Sequence, residues 1–274
     1  MKIHFTHLPI LCFLLLISLF ACQDHIDPAP TDTCKLTAID RGNNNKHSYT
    51  YDTQGRITQM TREFDGSGSG TISRYVYVFT FDGAGLLTKS IITLDGKPYG
   101  TETYTATNGR ITKAAYTNVD GSKGTNNITY NTAGQITEFS YETGDPNSEG
   151  KQYFTYNTDA VMTERGFTDL AGTLTFFKIV YKPVGKVTSP EQLLAKRGLP
   201  FDVLTGFSWS VTVGGLGSAY EVFFLDDKTG QFVSGGTGKT TVVKTNAKGY
   251  LVEDTSVDDT NESSTQTFTL TDCN

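Results

Sequence analysis

Histidine is nearly absent from this chain. Only four occur in 274 residues, and of His4, His7, His25 and His47 only the last lies in the body of the sequence. A single imidazole leaves little scope for Ser-His-Asp catalysis or for a zinc site built on histidines. His47 follows Lys46 in a short alternating stretch and reads as a surface residue. Basic clusters are missing too: 23 Lys and Arg are scattered against 29 Asp and Glu, for a net charge of −6. Phosphate binding needs a positive face, so no nucleic acid is expected as a partner. No twelve-residue calcium loop occurs, which leaves the acidic segment from Asp254 to Asp259 without a metal-site pattern; no metal or cofactor is expected.

Two strings imitate catalytic motifs and fall short of them. Gly235-Gly236-Thr237-Gly238-Lys239-Thr240 has the end of a phosphate-binding loop, but Val233 stands where the first glycine belongs. Thr241-Val242-Val243 then continues as a strand where that loop needs a helix, so the string reads as a hairpin loop. Gly206-Phe207-Ser208-Trp209-Ser210 lacks the second glycine of a hydrolase elbow. Carboxylates are plentiful, among them Glu63, Glu102, Glu138, Glu142, Glu164, Glu221, Asp226 and Asp227, but no pair stands out as a glycosidase dyad.

What the chain does have is one hairpin, written repeatedly. In Tyr49-Thr50-Tyr51-Asp52-Thr53-Gln54-Gly55-Arg56-Ile57-Thr58 residue types alternate with period two on both sides of a four-residue turn. Asp52 suits the first position of a type I turn, and Gly55 supplies the left-handed conformation that closes a bulged hairpin. The same grammar recurs at Asp82-Gly83-Ala84-Gly85, Asn131-Thr132-Ala133-Gly134, Asp227-Lys228-Thr229-Gly230 and Asn246-Ala247-Lys248-Gly249. Asn108-Gly109 makes a two-residue turn, and Asn157-Thr158-Asp159-Ala160 has alanine where the glycine belongs, which predicts strain or another loop there. Turn signals such as Asp95-Gly96 and Asp120-Gly121 mark the other ends of the strands. The pattern therefore predicts an all-β, antiparallel up-and-down meander over 34–274, with repeats over 34–187 and a β region over 188–274. Either a strongly twisted sheet curled into an incomplete barrel or two packed sheets would satisfy it. Ser189-Pro190-Glu191, Leu193, Leu194 and Gly198 predict one short helix near 190–197, its leucines packed on the sheet. A further strand is expected over 205–213.

Tyr75, Tyr77, Phe79 and Phe81 fall on one face of a strand, and with Phe207 and Trp209 they are the candidate aromatics for stacking on a sugar. The bland reading, that they are core, is favoured, since an exposed aromatic patch of that size is costly.

The first residues speak of address. An apolar run from Pro9 to Phe20 is too short to span a bilayer and has the form of a signal peptide over 1–21. It ends in Leu19-Phe20-Ala21-Cys22, which resembles the lipobox of bacterial lipoproteins. The resemblance implies that Cys22 becomes the acylated first residue, anchoring the protein in a lipid bilayer, and that 22–33 forms a tether. Gln23 and the following Asp24 and Asp27 imply an outer-membrane lipoprotein, periplasm-facing or at the cell surface. Cys12 leaves with the signal, so Cys34 and Cys273 remain as a candidate disulfide, with two buried free thiols as the alternative.

Tyr49 to Thr58, with looser copies at 79–88, 104–112, 128–137 and 154–163, resembles the YD repeat of Rhs-type proteins. The closer likeness is to YD-repeat lipoproteins of Bacteroidetes-type bacteria, which share the lipobox, the tether and a β-rich body. This resemblance implies a fold and an address but no reaction. The leading expectation is a non-enzymatic binding module for a glycan or an envelope protein. A structural or lipid-handling curled sheet is the alternative, and a glycoside hydrolase the third reading.

Overall fold

A computed structural model describes residues 33–66, 68–145, 149–158, 161–182, 193–194 and 219–273. It contains sixteen strands: β1 (Lys35–Asp40), β2 (Lys46–Tyr51), β3 (Ile57–Phe64), β4 (Ser73–Phe81), β5 (Leu87–Leu94), β6 (Lys97–Thr107), β7 (Arg110–Asn118) and β8 (Lys123–Tyr130), then β9 (Ile136–Glu142), β10 (Gly150–Tyr156), β11 (Met162–Thr168), β12 (Thr175–Lys182), β13 (Ala219–Asp226), β14 (Gln231–Thr245), β15 (Leu251–Asp258) and β16 (Ser263–Thr271). Each strand pairs with its neighbours in sequence, and β1 pairs antiparallel with β16. The meander is thus a closed barrel rather than the incomplete one expected. Closure removes both open edges, which otherwise present unpaired backbone groups.

The seam is held by more than backbone pairing. Cys34 and Cys273 are joined by a disulfide, with Cα atoms 4.1 Å apart across 239 residues of sequence. Beside it, Lys35 Nζ meets Asp272 Oδ2 at 2.8 Å, and Thr33 Oγ1 donates to the Asp272 carbonyl at 2.6 Å.

The recurring hairpins share one construction. In six of the seven, the register shifts just before the turn, at Thr50/Tyr51, Thr80/Phe81, Thr105/Ala106, Thr129/Tyr130, Thr155/Tyr156 and Lys244/Thr245. The bulge sets Tyr51 against Ile57, Phe81 against Leu87, Tyr130 against Ile136 and Tyr156 against Met162, all pointing inward. At the turn, the Asp52 carboxylate accepts from the backbone N–H groups of Gln54 and Arg56 (2.9 Å each), and Gly55 sits at φ 78°. Asp82 and Asn246 do the same work in their copies. The unusual copy at 157–160 lies partly outside the described residues, as does the strand expected over 205–213.

Inside and outside differ sharply in chemistry. At the end bearing the recurring turns, the inner wall carries Leu36, Ile57, Leu87, Ile111, Met162 and Leu251, all buried in one core cluster. Leu193 and Leu194, in the connection between β12 and β13, belong to that cluster and are helical; no other part of the helix expected near 190–197 is described, and no helix stands among the described elements. Outward positions carry many threonines and charged residues, together with the exposed Val78 and Ile91, which are register partners. Thr50 with Thr58 and Thr155 with Thr163 pair hydroxyl to hydroxyl at 3.2 and 3.3 Å.

One glycine-rich string needs a correction. Gly235 to Thr240 is not a hairpin loop but the middle of β14, where Gly238 lies opposite Tyr220. A Cβ at Gly238 would run into the Tyr220 ring, so glycine is there to let an aromatic lie on the sheet.

Candidate binding site at the barrel mouth

The end opposite the recurring turns is built differently from the aliphatic end. Its inner wall carries aromatics from successive strands: Phe64 on β3, Tyr75 on β4, Tyr99 on β6, Tyr116 on β7 and Tyr141 on β9. Phe64 stacks on Tyr75 with ring centroids 6.0 Å apart, and Tyr75 meets Tyr99 edge-on at 5.1 Å. Burial, the nearby Tyr99 and its hydrogen bond raise the Tyr75 hydroxyl above the ordinary phenol pKa; burial does the same for Tyr116. A second run of rings follows on the next strands. Phe167, Phe177 and Phe224 stack in series at 5.4 and 5.6 Å, and Phe224 is 48 % exposed. Exposure thus rises along the inner wall, from fully buried aliphatics at the turn end to half-buried rings at the mouth.

Glycines on the adjoining strands explain how these rings lie. Gly124 faces Tyr116 and Gly150 faces Tyr141 across the register. A Cβ at Gly124 would collide with the Tyr116 ring, and one at Gly150 would stand 2.9 Å from Tyr141 Oη. The rings therefore lie along the backbone, which leaves the other face of each toward the lumen. Between them the register places the amides Asn126 and Gln152 on the same inner face, opposite Tyr141 and Phe139. Aromatic faces interleaved with amides are what a sugar-binding surface uses: rings pack on the C–H face of a pyranose, and amides bond its hydroxyls.

Charge on this wall is mostly cationic. His47, Arg62 and Tyr75 are register neighbours across β2, β3 and β4. The Arg41 guanidinium lies 3.3 Å from both His47 ring nitrogens, and the Arg62 guanidinium sits 4.3 Å from the centre of the Phe64 ring. His47 is 6 % exposed, which overturns the surface reading: with Ile39 as its partner on β1, it points inward. Burial first, and then the charges of Arg41 and Arg62, hold its pKa well below the usual 6.5, so it is neutral. Burial also lowers Arg62 to about 10, helped by Arg41.

Carboxylates on the inner wall are tied into hydrogen bonds. Glu102 accepts from Tyr104 Oη and from Ser90 Oγ (3.2 Å), and burial raises its pKa. Asp254 is fully buried and accepts from Gln266 Nε2 at 3.0 Å. Among the described residues no three His, Cys, Asp or Glu gather as metal ligands.

Of the aromatics singled out by alternation, Tyr77 and Phe79 are buried in the core while Tyr75 and Phe81 are half-buried. Only Tyr75 joins the mouth; Phe81 lies at the turn end under the Arg56 guanidinium, 5.1 Å from its ring centre. Phe207, Trp209 and Cys22 lie outside the described residues. Sequence reasoning missed Tyr99, Tyr116 and Tyr141, which come one per strand. Their signal was an inward tyrosine beside a strand glycine, legible only once the register is known.

The barrel is similar to solved structures. A porin-like protein from Bacteroides uniformis ATCC 8492 matches with a TM-score of 0.55 at 13 % identity, over 89 % of this chain and 98 % of that one. The complexes TcdB2-TccC3-TEV and TcdB2-TccC3-Cdc42 match at 13 % identity with TM-scores of 0.34 and 0.31; they cover 80 % and 77 % of this chain but only 11 % and 12 % of theirs. No family model and no curated protein matches the chain. At these identities the likeness is one of fold.

Proposed function

We propose that this protein is an exported lipoprotein of the YD-repeat kind, tethered to the outer membrane through acylated Cys22, whose barrel is a non-enzymatic binding module taking a glycan at its mouth. The observation that carries the reading is the half-buried arc of Phe64, Tyr75, Tyr99, Tyr116 and Tyr141, of which Tyr116 and Tyr141 lie over strand glycines, interleaved with inward amides. The porin-like neighbour supports an envelope location but not a pore. A membrane-spanning barrel turns an apolar band about 25 Å tall toward lipid and keeps a polar interior. Here threonines such as Thr50, Thr58, Thr155 and Thr163 face outward beside a few exposed aliphatics such as Val78 and Ile91, and the largest aliphatic cluster faces in.

The lipid-handling alternative draws less support, because the inner aliphatic residues are already buried against one another. What the mouth leaves partly exposed are phenols, amides and a few phenyl rings, and the phenols and amides can bond sugar hydroxyls, which acyl chains lack. A glycoside hydrolase would need two carboxyl groups facing each other across a cleft, and Glu102 and Asp254 are each engaged by wall residues.

The test is a glycan array probed with the full acylated chain in detergent, alongside a Tyr99→Ala/Tyr116→Ala double variant. Binding to a subset of glycans that the double variant loses, with its melting temperature kept, supports the reading. Failure to bind any glycan, or equal binding by both proteins, removes it.

A further inference from the structure

We infer that the ligand is an acidic saccharide, its carboxylate or sulfate taken by the Arg41–His47–Arg62 side of the wall while its rings lie on Phe64, Tyr75 and Tyr99. This rests on the glycan-binding reading and narrows it. The first ground is placement. Arg62 lies between His47 and Tyr75 in register, so the cationic group and the aromatic arc are adjoining parts of one inner row. Arg41 reaches the same point from the loop after β1, with its guanidinium on the His47 ring.

The second ground is sign. The whole chain is acidic, at −6, yet the charged residues along this inner row are arginines. Arg165, on the opposite part of the wall between Phe154 and Ile179, is of the same sign and also buried. The acids that share the inner face, Glu102, Asp254 and Asp258, accept hydrogen bonds from Tyr104 and Ser90, from Gln266 and from Thr260. Arg41 stands close enough for its charge to act on the buried Arg62, and an anion reaching both would offset that repulsion.

The third ground is geometry. A guanidinium offers a planar fork of donors that matches a carboxylate or sulfate, and the Phe64 ring holds the Arg62 fork 4.3 Å from its centre. A neutral His47 adds a ring nitrogen without adding charge. An acidic sugar thus meets its charge and its stacking surface within one bound pose.

Four oligosaccharides of equal length separate the outcomes when titrated calorimetrically into the full acylated chain: galacturonate, its methyl ester, a sulfated galactan and a neutral galactan. The acidic oligomers should bind at least about tenfold tighter than the ester and the neutral form. That preference should shrink as salt rises from about 50 to 500 mM, because screening weakens partly exposed ion pairs. Arg41→Gln should remove most of the preference for the acidic oligomers, whereas Arg62→Lys should keep charge but lose part of the preference. The ratio of galacturonate to sulfated galactan identifies which anion the fork fits. Equal binding of acid and ester, or an unchanged preference in Arg41→Gln, overturns the inference and leaves the glycan reading standing. Failure of all four to bind removes both.

Discussion

Tyr51, Tyr130 and Tyr156 occupy the same place in three hairpins, and each reaches the neighbouring one. Their hydroxyls donate to the backbone carbonyls of Leu36, Ile111 and Ile136 at 2.6, 2.8 and 2.7 Å. The residue just before each of those carbonyls can also cover the ring: Lys35 stands 5.8 Å over Tyr51 and Arg110 5.6 Å over Tyr130. Where the copy has Phe81, which has no hydroxyl, Arg56 still covers the ring. The tyrosine before the turn Asp or Asn is therefore a staple between hairpins. Tyr130→Phe should lower stability by about 1 kcal/mol in urea unfolding, the value of one such bond; a change below a few tenths would mean the bond contributes nothing. His47 gives a prediction of opposite character. Its folded pKa is depressed, so the unfolded state binds the proton more readily. Stability is then full above about pH 6.5 and falls as the pH drops from there toward the folded pKa. The raised pKa of Glu102 works the other way, favouring the fold at low pH. Melting temperature against pH should decline less steeply below pH 6.5 in His47→Gln than in the parent protein.

At the scale of the element, the strands owe their faces to alternation and their heights to the bulges. Period-two patterning at Tyr75 to Phe81 was enough to assign one face, and β4 carries that face inward. It could not say which of the four would be sealed, because burial depends on how near each lies to the aliphatic end. The strand glycines were harder still. Gly124 in a strand reads as a weak point, yet it is where the Tyr116 ring lies down. Gly124→Ala should push that ring off the wall, cost about 1–3 kcal/mol through overpacking, and weaken glycan binding in the same protein. A variant with unchanged melting and unchanged binding would show that the ring does not rest there.

The molecule as a whole is decided at one seam. Sixteen is an even count, so the first and last strands of an up-and-down meander meet antiparallel and can pair as every other neighbour does. The disulfide latches this seam, and on the chain-entropy model a loop of this length is worth up to about 5 kcal/mol. Cys34→Ser should lower the unfolding free energy extrapolated from urea by up to that amount, and reductant should affect the parent protein but not the variant. On the proposed reading, the acyl group on Cys22 is the expected membrane attachment. Cys22→Ala should lose its acyl label in cells and move the body from the membrane fraction to the soluble one; retention in the membrane would mean the barrel itself binds lipid.

By itself the sequence determined the unit of construction, the antiparallel class, the alternation of faces and the sparse histidine that argues against most catalytic triads. These are local properties, set within about ten residues by turn chemistry and period. Closure, the inward place of His47 and the gathering of Tyr75, Tyr99, Tyr116 and Arg62 at one mouth were decided only in three dimensions. They depend on strand count and on register between strands far apart in the chain, and neither is encoded in any single hairpin.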